Sequence, residues 1–191
     1  MTWVPTGPTI GGMPKRKTSE DSDGSDSNVA DALEVEVRGL MFDPSSNTPI
    51  VVLREPKSER FLPIWIGVFE AQAIAMRIEG VDSPRPMTHD LLQASVKELG
   101  GVVTRIVITD LHENTFFAEV HLARNGESAV VDSRPSDAIA LALRAEAPVF
   151  VMPAVLDKAK AEKLGASQPD EDQLKEWLEN ARPEDLGEYE M

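Results

Sequence analysis

Alternation of apolar and polar positions predicts β-structure in the first patterned part of the chain. Val35 and Val37 alternate with charged residues before the apolar run Leu40-Met-Phe42, which is the pattern of a half-buried strand. A turn-forming Asp-Pro-Ser-Ser-Asn segment and a second apolar run follow, so residues 34–54 are predicted to form a hairpin. Similar patterns predict further strands at 60–66, 102–111, 115–122, 127–131 and 148–152.

Apolar residues spaced three or four positions apart predict helices between and after these strands. Val68, Ala71, Ala75 and Ile78 share one helical stripe, and Gly80 follows as a stop signal. The predicted helices are 68–79, Thr88 to the Gly100-Gly101 pair, 135–145, 154–164 and 170–180. The third of these helices is apolar on every side, which predicts that it is buried within the domain.

Short local signals refine this pattern. Pro63 lacks an N–H, so its strand is predicted at a sheet edge or a bulge. Asn125-Gly126 predicts a two-residue hairpin turn, because both turn positions require positive φ. Thr88 is predicted to be the N-cap of the second helix, with Asp90 in its first turn. The order of elements predicts an α+β fold: a mixed, mostly antiparallel sheet, either open or curled into a barrel or roll, with inserted helices and C-terminal helices.

Composition divides the chain of 191 residues into three parts. Residues 1–32 are rich in Pro, Gly, Ser and Asp, and they are predicted to form a disordered leader. Residues 33–155 hold the strands and the first three helices and are predicted to be one folded domain. Residues 156–191 are predicted to be an acidic, helical C-terminal extension.

The charge balance narrows the classes of function. The chain has 19 Lys and Arg against 33 Asp and Glu, a formal net charge of -14. This acidity argues against a protein that coats nucleic acid through bulk positive charge. No run approaches the roughly 18 apolar residues of a membrane span, and the N-terminus has no apolar stretch typical of a secretory signal. The absence of cysteine excludes disulfides, thiolate metal ligands and a cysteine nucleophile, and it agrees with a cytoplasmic location.

Polar residues at the ends of elements are the candidates for chemistry, since the Walker, GxGxxG, GxSxG and HExxH motifs are absent from the sequence. Arg134-Pro-Ser-Asp137 opens the buried helix, where free N–H groups and the helix dipole favour an anion. Arg134 and the Ser136 hydroxyl would complete a phosphate site. The alternative, which these residues alone favour, is that Ser133, Ser136 and Asp137 cap the helix while Arg134 pairs with an acid.

Three further groups carry titratable side chains and also have ordinary structural explanations. His89 stands beside Asp90, and such a pair can supply a base, an acid or a metal ligand, although N-capping with a surface histidine explains it as well. Asp110-Leu-His112-Glu113 lies at a predicted hairpin tip, where these residue types are expected. Glu70 stands at the head of the first helix, where the dipole favours an acid without any function.

Four segment pairs, taken in order, resemble one known family over about residues 34–155. They are Leu62-Pro-Ile-Trp-Ile-Gly67 with Glu70-Ala71, Arg85-Pro86 with Thr88-His-Asp-Leu-Leu92, Asp110-Leu111 with Thr115-Phe-Phe-Ala118, and Ser133-Arg-Pro-Ser-Asp-Ala138 with Ala140-Leu-Ala-Leu-Arg144. In this order they resemble the bifunctional nuclease domain. The resemblance implies an α+β domain that forms homo-oligomers, with nuclease activity on both DNA and RNA in some members.

On this resemblance the chain is expected to be a cytoplasmic nuclease that hydrolyses phosphodiester bonds, with nucleic acid as its substrate and no membrane partner. The resemblance gives positions, and the roles are a hypothesis. The expected ligands of Mg²⁺ or Mn²⁺, hard ions that prefer oxygen, are Glu70, Asp90, Asp110 and Asp137. The expected catalytic residues are His89, Asp90, Arg134 and Asp137. His89 would activate water or protonate the leaving oxygen, while Arg134 and Ser136 would hold the phosphate.

Two other classes of function stay open at the level of sequence. The first is a non-enzymatic regulatory or partner-binding module that uses the same anion pocket. It is supported by the acidity of the chain, by the lack of a recognised catalytic constellation, and by the amphipathic C-terminal helices with Trp177. The second is a phosphate-ligand enzyme other than a nuclease, which rests on the helix-start argument alone.

Overall fold

The computed structural model describes residues 31–43, 45–58 and 60–163. Within them the chain forms seven strands and four helices, so the predicted α+β class is confirmed. The predicted leader, most of the predicted C-terminal extension and the predicted helix at 170–180 lie outside the described residues. The elements are β1 (Leu33–Phe42), β2 (Pro49–Arg54), β3 (Phe61–Trp65), α1 (Val68–Ile78), α2 (Thr88–Glu98), β4 (Val102–His112), β5 (Thr115–Arg124), β6 (Glu127–Ser133), α3 (Pro135–Ala145), β7 (Val149–Val151) and α4 (Pro153–Lys163).

The seven strands form one open sheet in the order β3-β2-β1-β7-β4-β5-β6. Every neighbouring pair is antiparallel except β4 with β7, so the sheet is mixed and mostly antiparallel, as predicted. The predicted hairpin is present as β1 and β2, and the strands predicted at 102–111, 115–122 and 127–131 pair in sequence order as β4, β5 and β6. Of the alternatives left open, the closed barrel is not borne out, because β3 and β6 end the sheet without pairing with each other. Pro63 lies in the edge strand β3, where its missing N–H removes no ladder bond that the sheet needs.

The main core packs alternate strand residues against apolar residues of α1, α3 and α4. Ile106 and Ile108 on β4 are fully buried, with Val107 between them on the other face of the sheet. Helix α3 is buried over most of its length, including every residue from Ala138 to Ala142, which confirms the prediction of a buried helix. Burial of a side chain such as Ile139 contributes about 1.5–3 kcal/mol. Helix α2 differs, because its one buried residue is His89.

The ends of the elements follow the local signals with one correction. Asn125 and Gly126 have φ values of 52° and 85°, which confirms the two-residue hairpin turn. Helix α2 has Met87 as its N-cap, one residue before the predicted Thr88. The reason is that the Met87 N–H donates to Asp90 Oδ2 at 2.8 Å, so the third residue of the helix satisfies the N–H of the cap. None of the helices in the described part of the chain is long and apolar enough to cross a membrane.

Candidate active site

Four side chains from three separate parts of the sequence meet where α3 begins. His89 Nε2 lies 3.1 Å from Asp137 Oδ1, and Arg134 Nε donates to Asp137 Oδ2 at 2.8 Å. The other end of the Arg134 guanidinium contacts Glu70, with Nη1 2.9 Å from Oε1. We name the residues Glu70, His89, Arg134 and Asp137 the acid–base cluster. The structure therefore brings together two of the four predicted metal ligands and three of the four predicted catalytic residues.

The start of α1 places Glu70 within this cluster. Gly67 is the N-cap of α1 and has an ordinary φ of -74°. A Cβ atom at position 67 would overlap the Glu70 carboxylate, which occupies the space that any other side chain would need. Glu70 is mostly buried, so its position beside Arg134 is defined by packing as well as by charge. The missing side chain at Gly67 thus makes room for a carboxylate.

The start of α3 contradicts the capping alternative that the sequence alone favours. Arg134 is the N-cap, Pro135 takes the first helical position, and no side chain caps the helix. The Ser133 hydroxyl donates to the Arg134 carbonyl at 3.0 Å instead. Asp137 does not cap because His89 and Arg134 engage both of its oxygens. The second half of that alternative is correct, since Arg134 does pair with acids.

An uncapped helix start is a favourable place for an anion. The backbone N–H groups of Ser136 and Asp137 lie in the first turn of α3, where N–H groups have no partner within the helix. The positive end of the helix dipole lies at the same place. The Ser136 side chain is buried, and its predicted role in holding phosphate stays a prediction.

The charges of the cluster are stabilised by its own contacts. Burial alone would raise the pKa of Asp137, but hydrogen bonds from Arg134 and His89 outweigh that effect and hold this pKa below its ordinary value. Hydrogen bonds to Asp137 and then Glu70 raise the pKa of Arg134. Asp137 is therefore a carboxylate and Arg134 a cation throughout the neutral range. The guanidinium has five N–H donors. Its contacts with Asp137 and Glu70 use Nε and Nη1, which leaves Nη2 for a ligand.

His89 is oriented for acid–base chemistry by this carboxylate. Its side chain is about nine-tenths buried, so its contact with Asp137 acts in a poorly solvated environment. Because Asp137 is ionised, the bond between them makes Nε2 the donor in the neutral imidazole and leaves the lone pair on Nδ1. A carboxylate that selects a histidine tautomer in this way is a recurrent feature of hydrolytic sites. The pair can accept a proton at Nδ1 and stabilise the imidazolium that results.

Asp90 does not join the acid–base cluster. It accepts hydrogen bonds from the Met87 N–H and from Arg144 Nε. Burial would raise the pKa of Asp90, but these two donors keep it below its ordinary value. Arg144 Nη1 also donates to the carbonyls of Ala73 and Ala140, at 3.1 and 2.9 Å. The pair lines a separate cavity of about 340 Å³, so Asp90 has a structural partner that the sequence analysis did not identify.

Asp110 also makes its contacts elsewhere. The Lys158 ammonium and the Leu111 N–H both donate to its Oδ1, and these bonds hold the pKa of Asp110 below its ordinary value. Among the described residues, no group of three or more His, Asp or Glu side chains is arranged to hold a metal ion. The predicted four-carboxylate site is therefore not assembled in this structure, and the divalent metal stays a prediction.

The acid–base cluster opens into a cavity of about 480 Å³ between α2, the β5–β6 hairpin and α3. Asp132 and Ser133 lie at the same end as the cluster. The remaining walls are almost entirely apolar, and we name this cavity the apolar groove. The sequence analysis missed it, because its walls come from four elements whose apolar residues look like ordinary core. They are Leu92, Val96, Val120, Leu122, Val131 and Leu141.

The fold and the cluster together define a small α+β domain with a carboxylate–histidine–arginine site at a buried helix start. The family model for the bifunctional nuclease domain matches residues 51–163. This match covers more than half of the chain, and the chain belongs to that family. The match begins within β2 and ends at the last residue of α4, so it includes every member of the acid–base cluster.

Individual relatives agree with this assignment. An uncharacterized protein of Mycobacterium tuberculosis strain H37Rv is 40% identical over 162 residues, which are 80% of this chain and 97% of that protein. Bifunctional nuclease 2 of Oryza sativa subsp. japonica is 30% identical over 118 residues, 60% of this chain and 36% of the rice protein. Bifunctional nuclease 1 of Arabidopsis thaliana is 27% identical over 116 residues, 59% of this chain and 36% of that protein. The match thus spans 36% of the length of each of these two plant proteins.

Proposed function

We propose that the chain is a nuclease that hydrolyses phosphodiester bonds in DNA, RNA or both. The observation that carries the proposal is the hydrogen bond between His89 and Asp137, next to a charged arginine and an uncapped helix start. Membership in a family whose plant members are named bifunctional nucleases supports the same reaction. The cluster supplies one acid–base group and one group for phosphate, which are the two functions that hydrolysis of a phosphodiester requires.

In the proposed reaction His89 accepts a proton from the attacking water at Nδ1. The new P–O bond forms as the bond to the leaving oxygen breaks, and that oxygen takes a proton from solvent. Asp137 stabilises the imidazolium through Nε2. Arg134 donates hydrogen bonds from Nη2 to the phosphate oxygens, and Glu70 keeps the guanidinium in place from its other side. No step in this scheme passes through a metal ion.

The experiment compares cleavage of labelled DNA and RNA oligonucleotides by the purified full chain and four variants. We expect His89→Gln and Asp137→Asn to lower the rate about 100-fold or more, since acid–base groups contribute roughly 10²–10⁴-fold. The matched controls His112→Gln and Asp157→Asn, at side chains 72% and 76% exposed, should cleave at the wild-type rate. Equal rates in all four variants, with folding confirmed by circular dichroism, would contradict the site assignment.

A metal requirement is a separate part of the proposal. The hypothesis of Mg²⁺ or Mn²⁺ bound by Glu70, Asp90, Asp110 and Asp137 requires Arg144 and Lys158 to release two of these carboxylates. Cleavage assays with EDTA, and then with each metal restored, test it directly. Activity that survives EDTA would show that the acid–base cluster works without a divalent ion.

The non-enzymatic alternative has one observation in its favour. Arg134 and the uncapped start of α3 can hold a phosphate group without any acid–base step. Under this alternative the full chain binds a phosphate-bearing partner but cleaves no polynucleotide, with or without added metal. Binding of the same labelled oligonucleotides, measured beside the four-variant cleavage assay, separates the two functions. Binding without cleavage supports the module, and cleavage lost with His89 supports the nuclease.

Self-association and a cytoplasmic location belong to the same proposal. Strand β6 is a sheet edge, and its residues from Glu127 to Asp132 are all exposed. An exposed edge offers unpaired backbone groups to a second copy. Sedimentation velocity over a concentration series measures self-association, and fractionation of the source cells measures the location.

A further inference from the structure

The acid–base cluster lies at one end of the apolar groove. His89, Arg134 and Asp137 are members of the cluster and also line the groove. From there the groove runs between α2 and the β5–β6 hairpin over apolar side chains. A ligand whose anionic group contacts Arg134 therefore continues into an apolar space. This space suits a second, uncharged part of the same molecule.

The apolar walls limit what that second part is. A sugar–phosphate backbone is polar and anionic along its length, so burial against Leu92, Val96 and Leu122 would cost it hydration without returning hydrogen bonds. A nucleobase presents two flat, weakly polar faces that gain free energy when they leave water. The volume of about 480 Å³ lies within the usual range for small-ligand sites, roughly 300–1,000 Å³. The base is thus the part of a nucleotide that fits the groove.

The charge of the chain decides which polynucleotide can present such a base. A base in a duplex is paired and stacked, and its extrusion costs a few kcal/mol. Proteins that force extrusion offset this cost with many phosphate contacts from basic residues. This chain carries a formal net charge of -14, and one arginine lines the groove. A strand whose bases are already unpaired avoids the cost.

Resting on the nuclease function proposed above, we propose that the apolar groove binds one unpaired nucleobase and that single-stranded polynucleotide is the substrate class. The phosphate adjoining that base lies at Arg134, within reach of His89. The groove accepts any of the common bases, because apolar walls contact the face of the base and carry few donors or acceptors for its edge. Preference for unpaired strands, rather than for a base sequence, follows from this geometry.

Two pairs of neighbouring residues provide matched variants at the mouth of the groove. Leu92 lines the groove and is 45% exposed, while its neighbour Leu91 is 60% exposed and does not line it. On β6, Val131 lines the groove and is 47% exposed, while its neighbour Val130 is 42% exposed and does not line it. Substitution of any of these partly exposed residues by a polar one leaves the main core intact. Leu92→Gln and Val131→Thr are the test variants, and Leu91→Gln and Val130→Thr are their controls.

The first measurement is binding, which does not depend on catalysis. Adenosine 5′-monophosphate and ribose 5-phosphate are titrated into the full chain and followed by NMR. We expect the nucleotide to bind about tenfold or more tightly than the sugar phosphate. We expect Leu92→Gln and Val131→Thr to remove most of that advantage, and the two controls to keep it. Equal binding of the two probes, or equal behaviour of Leu92→Gln and Leu91→Gln, would overturn the proposal.

The second measurement is cleavage of one oligonucleotide sequence, offered as a single strand, as a duplex, and as a single strand with abasic sites. We expect the intact single strand to be cleaved at least tenfold faster than either of the others. Equal cleavage of all three would overturn the base site and leave the nuclease function standing. Base-dependent binding through Leu92 with no cleavage of any substrate would support the base site and contradict the nuclease. Dimerisation that Leu92→Gln abolishes, without base-dependent binding, would assign the groove to a second copy and overturn the proposal.

Discussion

The position of Glu70 depends on a residue that has no side chain. Gly67 caps α1 with an ordinary backbone conformation, so its role is spatial and does not come from conformational freedom. The Glu70 carboxylate fills the volume next to the Gly67 Cα and from there reaches Arg134. Arg134 in turn holds Asp137, which orients His89. The position of the histidine therefore depends, through three polar contacts, on a carboxylate that fits beside Gly67 at the start of another helix.

We expect Gly67→Ala to lower activity while the fold stays intact. The new Cβ displaces the end of a flexible side chain and not backbone, so the free energy of unfolding should change by less than about 1 kcal/mol. The displaced carboxylate leaves Arg134 with one partner, and the cleavage rate should fall as far as it does in Glu70→Gln. The double variant should show no further loss, since both changes remove one interaction. Full activity in Gly67→Ala would contradict this account.

At the scale of elements, Arg144 ties three helices together. It lies on α3, contacts Asp90 on α2, and donates to the carbonyl of Ala73 on α1. The Arg144 carbonyl also accepts a hydrogen bond from Gln93 Nε2 at 2.7 Å, a second link to α2. Helix α2 buries only His89, so these polar contacts replace the apolar packing that positions an ordinary helix. Arg144 is thus a positioning residue for the helix that carries His89.

We expect Arg144→Met to destabilise the protein by about 3 kcal/mol, because Asp90 and two buried carbonyls lose a charged hydrogen-bond donor. The matched control is Arg77→Met, at a residue that is 39% exposed and contacts the Leu143 carbonyl and Glu146 from the surface. That change should cost less than about 1 kcal/mol. Urea denaturation of both variants measures the difference, and equal midpoints would show that the three-helix link does not contribute to stability.

At the scale of the whole molecule, acid is expected to weaken the fold through a small set of carboxyl groups. Hydrogen bonds hold the pKa of five carboxyl groups below their ordinary values. The main donor is Ser45 for Asp43, Ser58 for Glu55 and Lys158 for Asp110. At Asp90 and Asp137 burial would raise the pKa, and the hydrogen bonds outweigh that effect. A lowered pKa in the folded state contributes stability that is complete above the ordinary pKa and is lost as the pH falls through the lowered one.

We therefore expect the stability difference between the wild type and Asp90→Asn to be constant above pH 5. It should shrink as the pH falls below about 3.9, the ordinary pKa of aspartate. Comparison of two proteins removes the general effect of protonating many surface acids on a chain with a formal net charge of -14. Asp82→Asn, at an exposed residue outside these hydrogen bonds, is the control. Urea midpoints at a series of pH values measure the difference, and a constant difference down to pH 3 would contradict the role of Asp90.

The elements of this fold follow from local chemistry, which is why the sequence predicts them well. Alternation of apolar residues identifies the strands, and the turn at Asn125-Gly126 follows from two residues that tolerate positive φ. The buried α3 follows from apolar residues on every side. The pattern did not predict whether the sheet is open or closed, because closure depends on whether the two end strands, β3 and β6, pair with each other.

The sequence by itself also identified His89, Arg134, Asp137 and Glu70 as candidates, because their residue types and element ends suit acid–base and anion chemistry. Only the tertiary structure decided their partners. His89 meets Asp137 across 48 positions, while Asp90, the next residue, turns to Arg144 across 54. The physical reason is that a charged side chain pairs with whichever opposite charge or donor the packing of the main core brings within about 3 Å. That choice depends on how α1, α2 and α3 pack together, and no local pattern contains it.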